Sequence, residues 1–159
     1  MKQFFLAAAS LALGVGASAA AQAKDIPEGG LTLAEVSSWL TDNGYQAKIE
    51  TDDDGTRNIA TSAEGAGFHI YLYDCKEDRC GSLQFSSGFS TKGAFDTAKM
   101  NEWNRTKRWA RAYIDKVNDP WIEADVDLTP GGTYEILNDE FNIWKDTLTG
   151  FRKYIGWDS

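Results

Sequence analysis

Hydrophobic and polar positions repeat with two different periods along this chain, and each change of period marks an element. Thr32-x-x-Glu35 forms a capping box, with Leu33, Val36 and Leu40 following at helical spacing. That pattern predicts a first helix with Gly44 at its C′ position. From Tyr45 to Thr51 the period falls to two, with Tyr45, Ala47 and Ile49 on one side, which predicts a strand. Asp52-Asp53-Asp54-Gly55 reads as a turn, and Arg57 to Ser62 as a second, weaker strand. After Glu64-Gly65-Ala66-Gly67, Phe68, Ile70 and Leu72 alternate with His69, Tyr71 and Tyr73, and Leu83 and Phe85 alternate with Ser82, Gln84 and Ser86. Two such runs predict a hairpin that ends near Phe89.

The second half repeats the scheme. Asp96 suits an N-cap, with Phe95 and Met100 at the N′ and N4 positions of a hydrophobic staple, for a helix to about Thr106 that buries Met100 and Trp103. Ala110, Ala112 and Ile114 then alternate with Trp109, Arg111 and Tyr113, and Ile122, Ala124, Val126 and Leu128 alternate with Trp121, Glu123, Asp125 and Asp127. A three-residue turn at Asn118-Asp119-Pro120 sets Ile114 opposite Ile122 and Arg111 opposite Asp125. Beyond a Pro/Gly loop at 129–133, Leu137, Phe141, Trp144, Leu148, Phe151 and Ile155 mark a long helix from Tyr134. The order α-β-β(-β)-β-α-β-β-α predicts an α+β fold, an antiparallel sheet of about five to six strands with the helices packed on one side. No repeat or second domain interrupts it.

The N-terminus changes the picture of location. Lys2, the apolar run Phe4 to Val15, and alanines at 17, 19, 21 and 23 match a cleaved secretory signal over residues 1–23, cut after Ala21 or Ala23. The run is too short for a bilayer, which takes roughly 20 apolar residues. Residues 24–159 are then one domain, periplasmic or secreted. The chain holds 16 basic and 24 acidic side chains, a net charge of −8. Lys2 leaves with the leader, and such acidity argues against unaided binding to nucleic acid. Cys75 and Cys80, the only cysteines, are expected to form a disulfide in an oxidising compartment. Pairing them directly sets Leu72 against Leu83, Ile70 against Phe85 and Tyr71 against Gln84, with the apolar residues on one face and the cysteines on the other. One histidine cannot complete a zinc site with them.

Four strings carry a resemblance. They are Trp39-Leu40-x-x-x-Gly44-Tyr45; Phe68-x-Ile70-Tyr71-x-Tyr73-Asp74-Cys75 with Cys80-x-x-Leu83-Gln84-Phe85; Asn101-x-Trp103-Asn104-x-x-x-Arg108-x-x-Arg111-Ala112-Tyr113; and Phe151-x-x-Tyr154-Ile155-Gly156-Trp157. Over about residues 31 to 157 the chain resembles the YbjN-domain family of bacterial proteins. The resemblance implies a type III secretion chaperone-like fold, a label as a sensory transduction regulator and no agreed enzyme activity. Folds of that kind pair and hold extended segments, which makes a homodimer and a protein or peptide partner the expectation.

Candidate chemistry is sparse. His69 has no accompanying nucleophile motif, and Glu123, Asp125 and Asp127 on one strand face read as a solvated face pairing with Arg111. No catalytic residues, cofactor or metal are expected. Glu50-x-Asp52-x-Asp54-Gly55 matches half of an EF-hand loop, but Thr61 stands where the bidentate carboxylate belongs, so a hairpin turn is the better account. Trp103 and the amides of Asn101 and Asn104 are expected to be structural. Arg105, Lys107, Arg108 and Arg111 form the basic cluster, and Arg105, Arg108 and Arg111 are candidate anion contacts. Tyr71, Tyr73, Trp109, Tyr113 and Trp121 should project from the sheet face opposite the helices. They are the candidate partner surface, with a dimer interface or a covering helix as the plainer reading. The leading function is a non-enzymatic interaction domain. Its alternative is a small-molecule or anion binder with a pocket between sheet and helices.

Overall fold

The structure, a computed structural model, describes residues 23–157; the leader expected at 1–23 lies outside them save for its last position. Among the described residues the elements run α1 (Leu33–Asp42), β1 (Lys48–Thr51), β2 (Arg57–Ala63), β3 (Ala66–Lys76), β4 (Arg79–Gly88), α2 (Thr97–Thr106), β5 (Arg111–Ile114), β6 (Pro120–Asp127) and α3 (Tyr134–Ile155). The strands form one antiparallel sheet in the order β1-β2-β3-β4-β6-β5. The fold is α+β, as the two periods predict.

Local chemistry sets each boundary. Thr32 and Glu35 close the capping box of α1, and Gly44 follows the C-cap Asn43 with φ 84°, a left-handed position that costs glycine least. Asp96 caps α2 by accepting from the Lys99 amide. Thr133 does the same for α3 at Ile136.

Alternation then divides the sheet into two unlike faces. Ile59, Phe68, Ile70, Leu83, Phe85, Ala112, Ile122 and Val126 are buried on the inner one. The apolar ridge of α3 packs against them: Phe141 and Trp144 lie 6.2 and 5.6 Å from Phe68, ring centre to ring centre. Trp144 stacks on Phe85 at 5.5 Å. Trp39 of α1 meets Phe141 edge-on at 5.2 Å, and Trp103 of α2 meets Phe151 at 5.0 Å. Thus α3 is the keystone of the helical layer, since both other helices place their tryptophan on it.

The β3–β4 register is the expected one, with Leu72 opposite Leu83, Ile70 opposite Phe85, Tyr71 opposite Gln84 and Cys75 opposite Cys80. The two cysteines are disulfide-bonded. Their face is different from the sequence reading. Both border a recess shared with Leu33, Ile49 and Leu72, on the helix side, because Asp74 adopts a left-handed φ of 55° and turns the strand just before Cys75. Cys80 is buried there and exchanges backbone hydrogen bonds with Leu31.

Three further expectations are corrected. First, β1 begins at Lys48, not Tyr45; Tyr45 instead packs edge-on against Phe141 at 4.9 Å and accepts from Lys145 Nζ. Second, Arg111 stands opposite Glu123 rather than Asp125, and Ile114 opposite Pro120 rather than Ile122. The turn is centred one residue earlier than expected, on Val117: the Asp115 amide donates to Asp119 O, and the Asp115 carboxylate accepts from the amides of Val117 and Asp119. Third, Trp109 lies outside β5 with φ 76°, in the bend that carries the chain from α2 into the strand.

Phe85 is fully buried between Phe68, Phe141 and Trp144. Phe85→Ala should cost about 3–5 kcal/mol through lost burial and the cavity left behind, read by urea unfolding. Reducing the Cys75–Cys80 bridge should cost less, about 2 kcal/mol, since it closes a loop of only about 6 residues. Its measure is the shift in unfolding midpoint with and without reductant.

Candidate functional site

Among the described residues the outer face of the sheet carries no helix, and its side chains are tied to one another sideways. Asn58, Gln84 and Ser86 are buried there, which polar groups tolerate only with partners. Asn58 donates to Asp52 Oδ1 at 2.8 Å, its Oδ1 meets His69 Nδ1 at 2.9 Å, and the Tyr71 hydroxyl donates to Asp52 Oδ2 at 3.1 Å. The His69 and Tyr71 rings stack at 6.1 Å. Across the face, Gln84 Nε2 donates to Asp125 at 2.6 Å and Ser86 Oγ to Glu123 at 3.3 Å. Ser86 stands opposite His69 in the register, yet its hydroxyl is committed to Glu123, so the pair is not arranged as nucleophile and base.

Glu123 is the hub of the second half of the face. Its carboxylate takes two hydrogen bonds from Arg111, at 2.7 and 3.0 Å, and one from the Tyr113 hydroxyl at 2.8 Å. The Glu123 side chain is only 11% exposed. Charge-assisted, two-pronged geometry of this kind holds both partners in place. Burial, and next the hydrogen bond to Glu123, push the Tyr113 phenol up. Tyr113 in turn stacks on Trp121 at 6.3 Å. Trp121 lies over Gly88 on the neighbouring strand, where a Cβ would come 2.5 Å from the indole. Glycine at 88 is the space into which that ring folds.

The five aromatic side chains of the expected partner surface are therefore not equivalent. Tyr73 and Tyr113 stand out from the sheet at 47% and 38% exposure, while Tyr71 and Trp121 lie half-buried against its floor. Trp109, 55% exposed, belongs to the bend beside the sheet and stacks under the Arg108 guanidinium at 4.2 Å. Of the candidate anion contacts, Arg111 is occupied by Glu123. Arg108 is occupied by Trp109, and Arg105 is exposed in the last turn of α2.

The acidic turn at 52–55 is closed by its own backbone, with Gly55 N donating to Asp52 O and Thr56 N to Asp54 Oδ1. Among the described residues no three metal-ligating side chains converge. No helix there is long and apolar enough to cross a membrane.

Two further residues complete the face, one implied by the expected register and one expected to be structural. Gln84 forms its floor, a place implied once Tyr71 is set opposite Gln84. Asn104 is the other: its amide accepts from Ala112 N at 2.7 Å and donates to Ala112 O at 2.9 Å. It mimics a further strand on the outer edge of β5. No local signal marks that bond, because it joins residues in different elements.

Burial, then the hydrogen bond to Asp52, raise the Tyr71 phenol from 10.0 to about 12. A raised folded-state pKa stabilises the protein fully below the unfolded value, and the contribution is lost as pH rises through the folded one. Stability should therefore fall between pH 10 and about 12, and Tyr71→Phe should flatten that fall. Unfolding midpoints across the range, with tyrosinate absorbance as the second readout, check it.

No curated protein matches the chain. A solved structure of the Yersinia pestis type III secretion chaperone SycH, in complex with a stable fragment of YscM2, is similar at 13% identity. The match covers 79% of this chain and 98% of that one, with a TM-score of 0.45. The YbjN family model, described as "Putative bacterial sensory transduction regulator", matches residues 32–157. The chain belongs to the YbjN family.

Proposed function

We propose that this protein is a periplasmic or secreted interaction domain that binds a protein or peptide through its open sheet face, without catalysis. The observation that carries this reading is the uncovered outer face, with Tyr73 and Tyr113 raised above a polar floor and Trp109 beside it. All three helices are spent on the inner core, so nothing in residues 23–157 covers these rings. Exposed aromatic groups on a rigid sheet suit recognition, because they offer contact area with little rotamer entropy to lose. On this reading residues 24–159 form the mature domain, and the disulfide fits an oxidising compartment. The role on this reading is chaperone-like or regulatory, the family's description supporting the regulatory side, and pairing of two copies would use the same sheet or its free edge.

Against catalysis stand the geometry of His69 and Ser86 and the commitment of Glu123 to Arg111 and Tyr113. The anion-binding alternative is disfavoured by the same ion pair, which neutralises Arg111. It places that side chain on the open face rather than between sheet and helices.

The test is retention of a partner from a periplasmic extract by the oxidised domain, beside a Tyr73→Ala/Trp109→Ala variant with unchanged circular dichroism. A protein held by the wild type and lost by the variant is the expected result. Equal retention by both, or retention by neither, would remove the assignment to this face.

A further inference from the structure

The open face contains a basin of about 740 Å³ whose rim is Tyr73 and Tyr113 and whose base includes Gln84, Glu123, Asp125 and Asp127. Arg111 also borders it, but its guanidinium is consumed by Glu123. Asp125 and Asp127 are both exposed, and among the described residues neither has a cationic partner. The basin therefore carries uncompensated negative charge between two exposed tyrosine rings. Gln84 adds an independent sign. It is 8% exposed, and its Nε2 is given to Asp125. No donor among the described residues reaches its Oε1, which is open to solvent and presents an acceptor to the basin.

We propose that this basin receives the lysine or arginine side chains of a basic, extended peptide segment, seated between Tyr73 and Tyr113 against Asp125 and Asp127. The inference rests on the peptide-binding reading above and specifies the partner's chemistry.

Each part of such a side chain has a counterpart here. The aliphatic stem packs along the tyrosine rings while the charged head meets their faces and the carboxylates. An ammonium or guanidinium group supplies donors to Gln84 Oε1, to Asp127 and to the Asp125 oxygen that Gln84 leaves free, since both cations are donors only. An acidic segment would be repelled, and an apolar one would strip water from two carboxylates without replacing it. Spacing favours an extended partner. Asp125 and Asp127 are two residues apart on β6, roughly 7 Å, and alternate side chains of an extended segment have that same separation. Attraction by an acidic domain also speeds encounter with a basic partner and weakens as salt rises.

The experiment uses fluorescence anisotropy of the oxidised domain with three labelled peptides, alternating threonine with lysine, glutamate or valine. The Lys peptide should bind, more weakly in added salt, and the Glu and Val peptides should not. Asp125→Asn/Asp127→Asn should weaken binding roughly tenfold, and Tyr73→Ala should weaken it as well. Asparagine at 125 keeps an acceptor for Gln84, so folding should persist, checked by the melting temperature. Asp42→Asn/Asp139→Asn removes the same charge from exposed positions on α1 and α3, and it should leave affinity unchanged.

Equal binding by the Asp125/Asp127 variant, or an equal loss in the helix variant, would overturn the proposal by showing contact elsewhere or general charge attraction. Binding of the Val or Glu peptide in place of the Lys peptide, dependent on Tyr73, would overturn the basic class and leave the peptide-binding reading standing. If no peptide binds, the basin assignment fails. The broader reading is then judged separately, by whether the extract partner needs Tyr73 and Trp109 but not Asp125 and Asp127.

Discussion

Everything in this protein depends on the aromatic seam between α3 and the inner face of the sheet. Phe141, Trp144 and Phe151 sit on one stripe of a 22-residue helix, and the opposing strands supply Phe68, Phe85 and Ile122. Large rings buried together give most of the available stabilisation, and α1 and α2 gain their place by packing tryptophans onto the same stripe. Because the three helices of the described residues converge on one seam, none of them remains for the opposite face. The asymmetry of the molecule is a consequence of where its aromatic residues fall along α3.

A sheet with one bare face has to manage polar groups without a covering layer. Here the solution is lateral: Asn58, Gln84 and Ser86 are shielded by larger neighbours and hydrogen-bonded to Asp52, Asp125 and Glu123. Such a network holds side chains in fixed positions before any partner arrives, which lowers the ordering cost of binding. It also explains why charges cluster there. The carboxylates hold the network together, and those that exceed its needs face outward.

Much of this was legible in the chain. Period-two alternation fixed the strands because each has one apolar and one polar face, and the α3 stripe was unmistakable at 4, 3, 4, 3, 4 spacing. The β3–β4 register followed from the cysteines, since setting Cys75 opposite Cys80 brings the apolar residues together on one face. The β5–β6 register was misplaced because Asp115, rather than Asn118-Asp119-Pro120 alone, shapes the turn through its carboxylate. Tyr45 and Ala47 alternate like strand residues, but tertiary packing on Phe141 claims Tyr45. The candidate face was half legible. Alternation put Tyr71, Tyr73, Tyr113 and Trp121 together, whereas their heights above the sheet depend on neighbours such as Gly88 and Glu123 that no single strand reveals.

The hydrogen bonds of Asn104 to Ala112 reach beyond local tidiness. An antiparallel sheet has two borders at which another chain can add, and at β5 the central outward-facing backbone groups are already satisfied by that amide. Addition is thereby directed to the β1 border. Two copies joined through β1 would present only blocked ends, so growth would halt at a pair. A sheet with one sealed margin can associate without becoming the seed of a fibre.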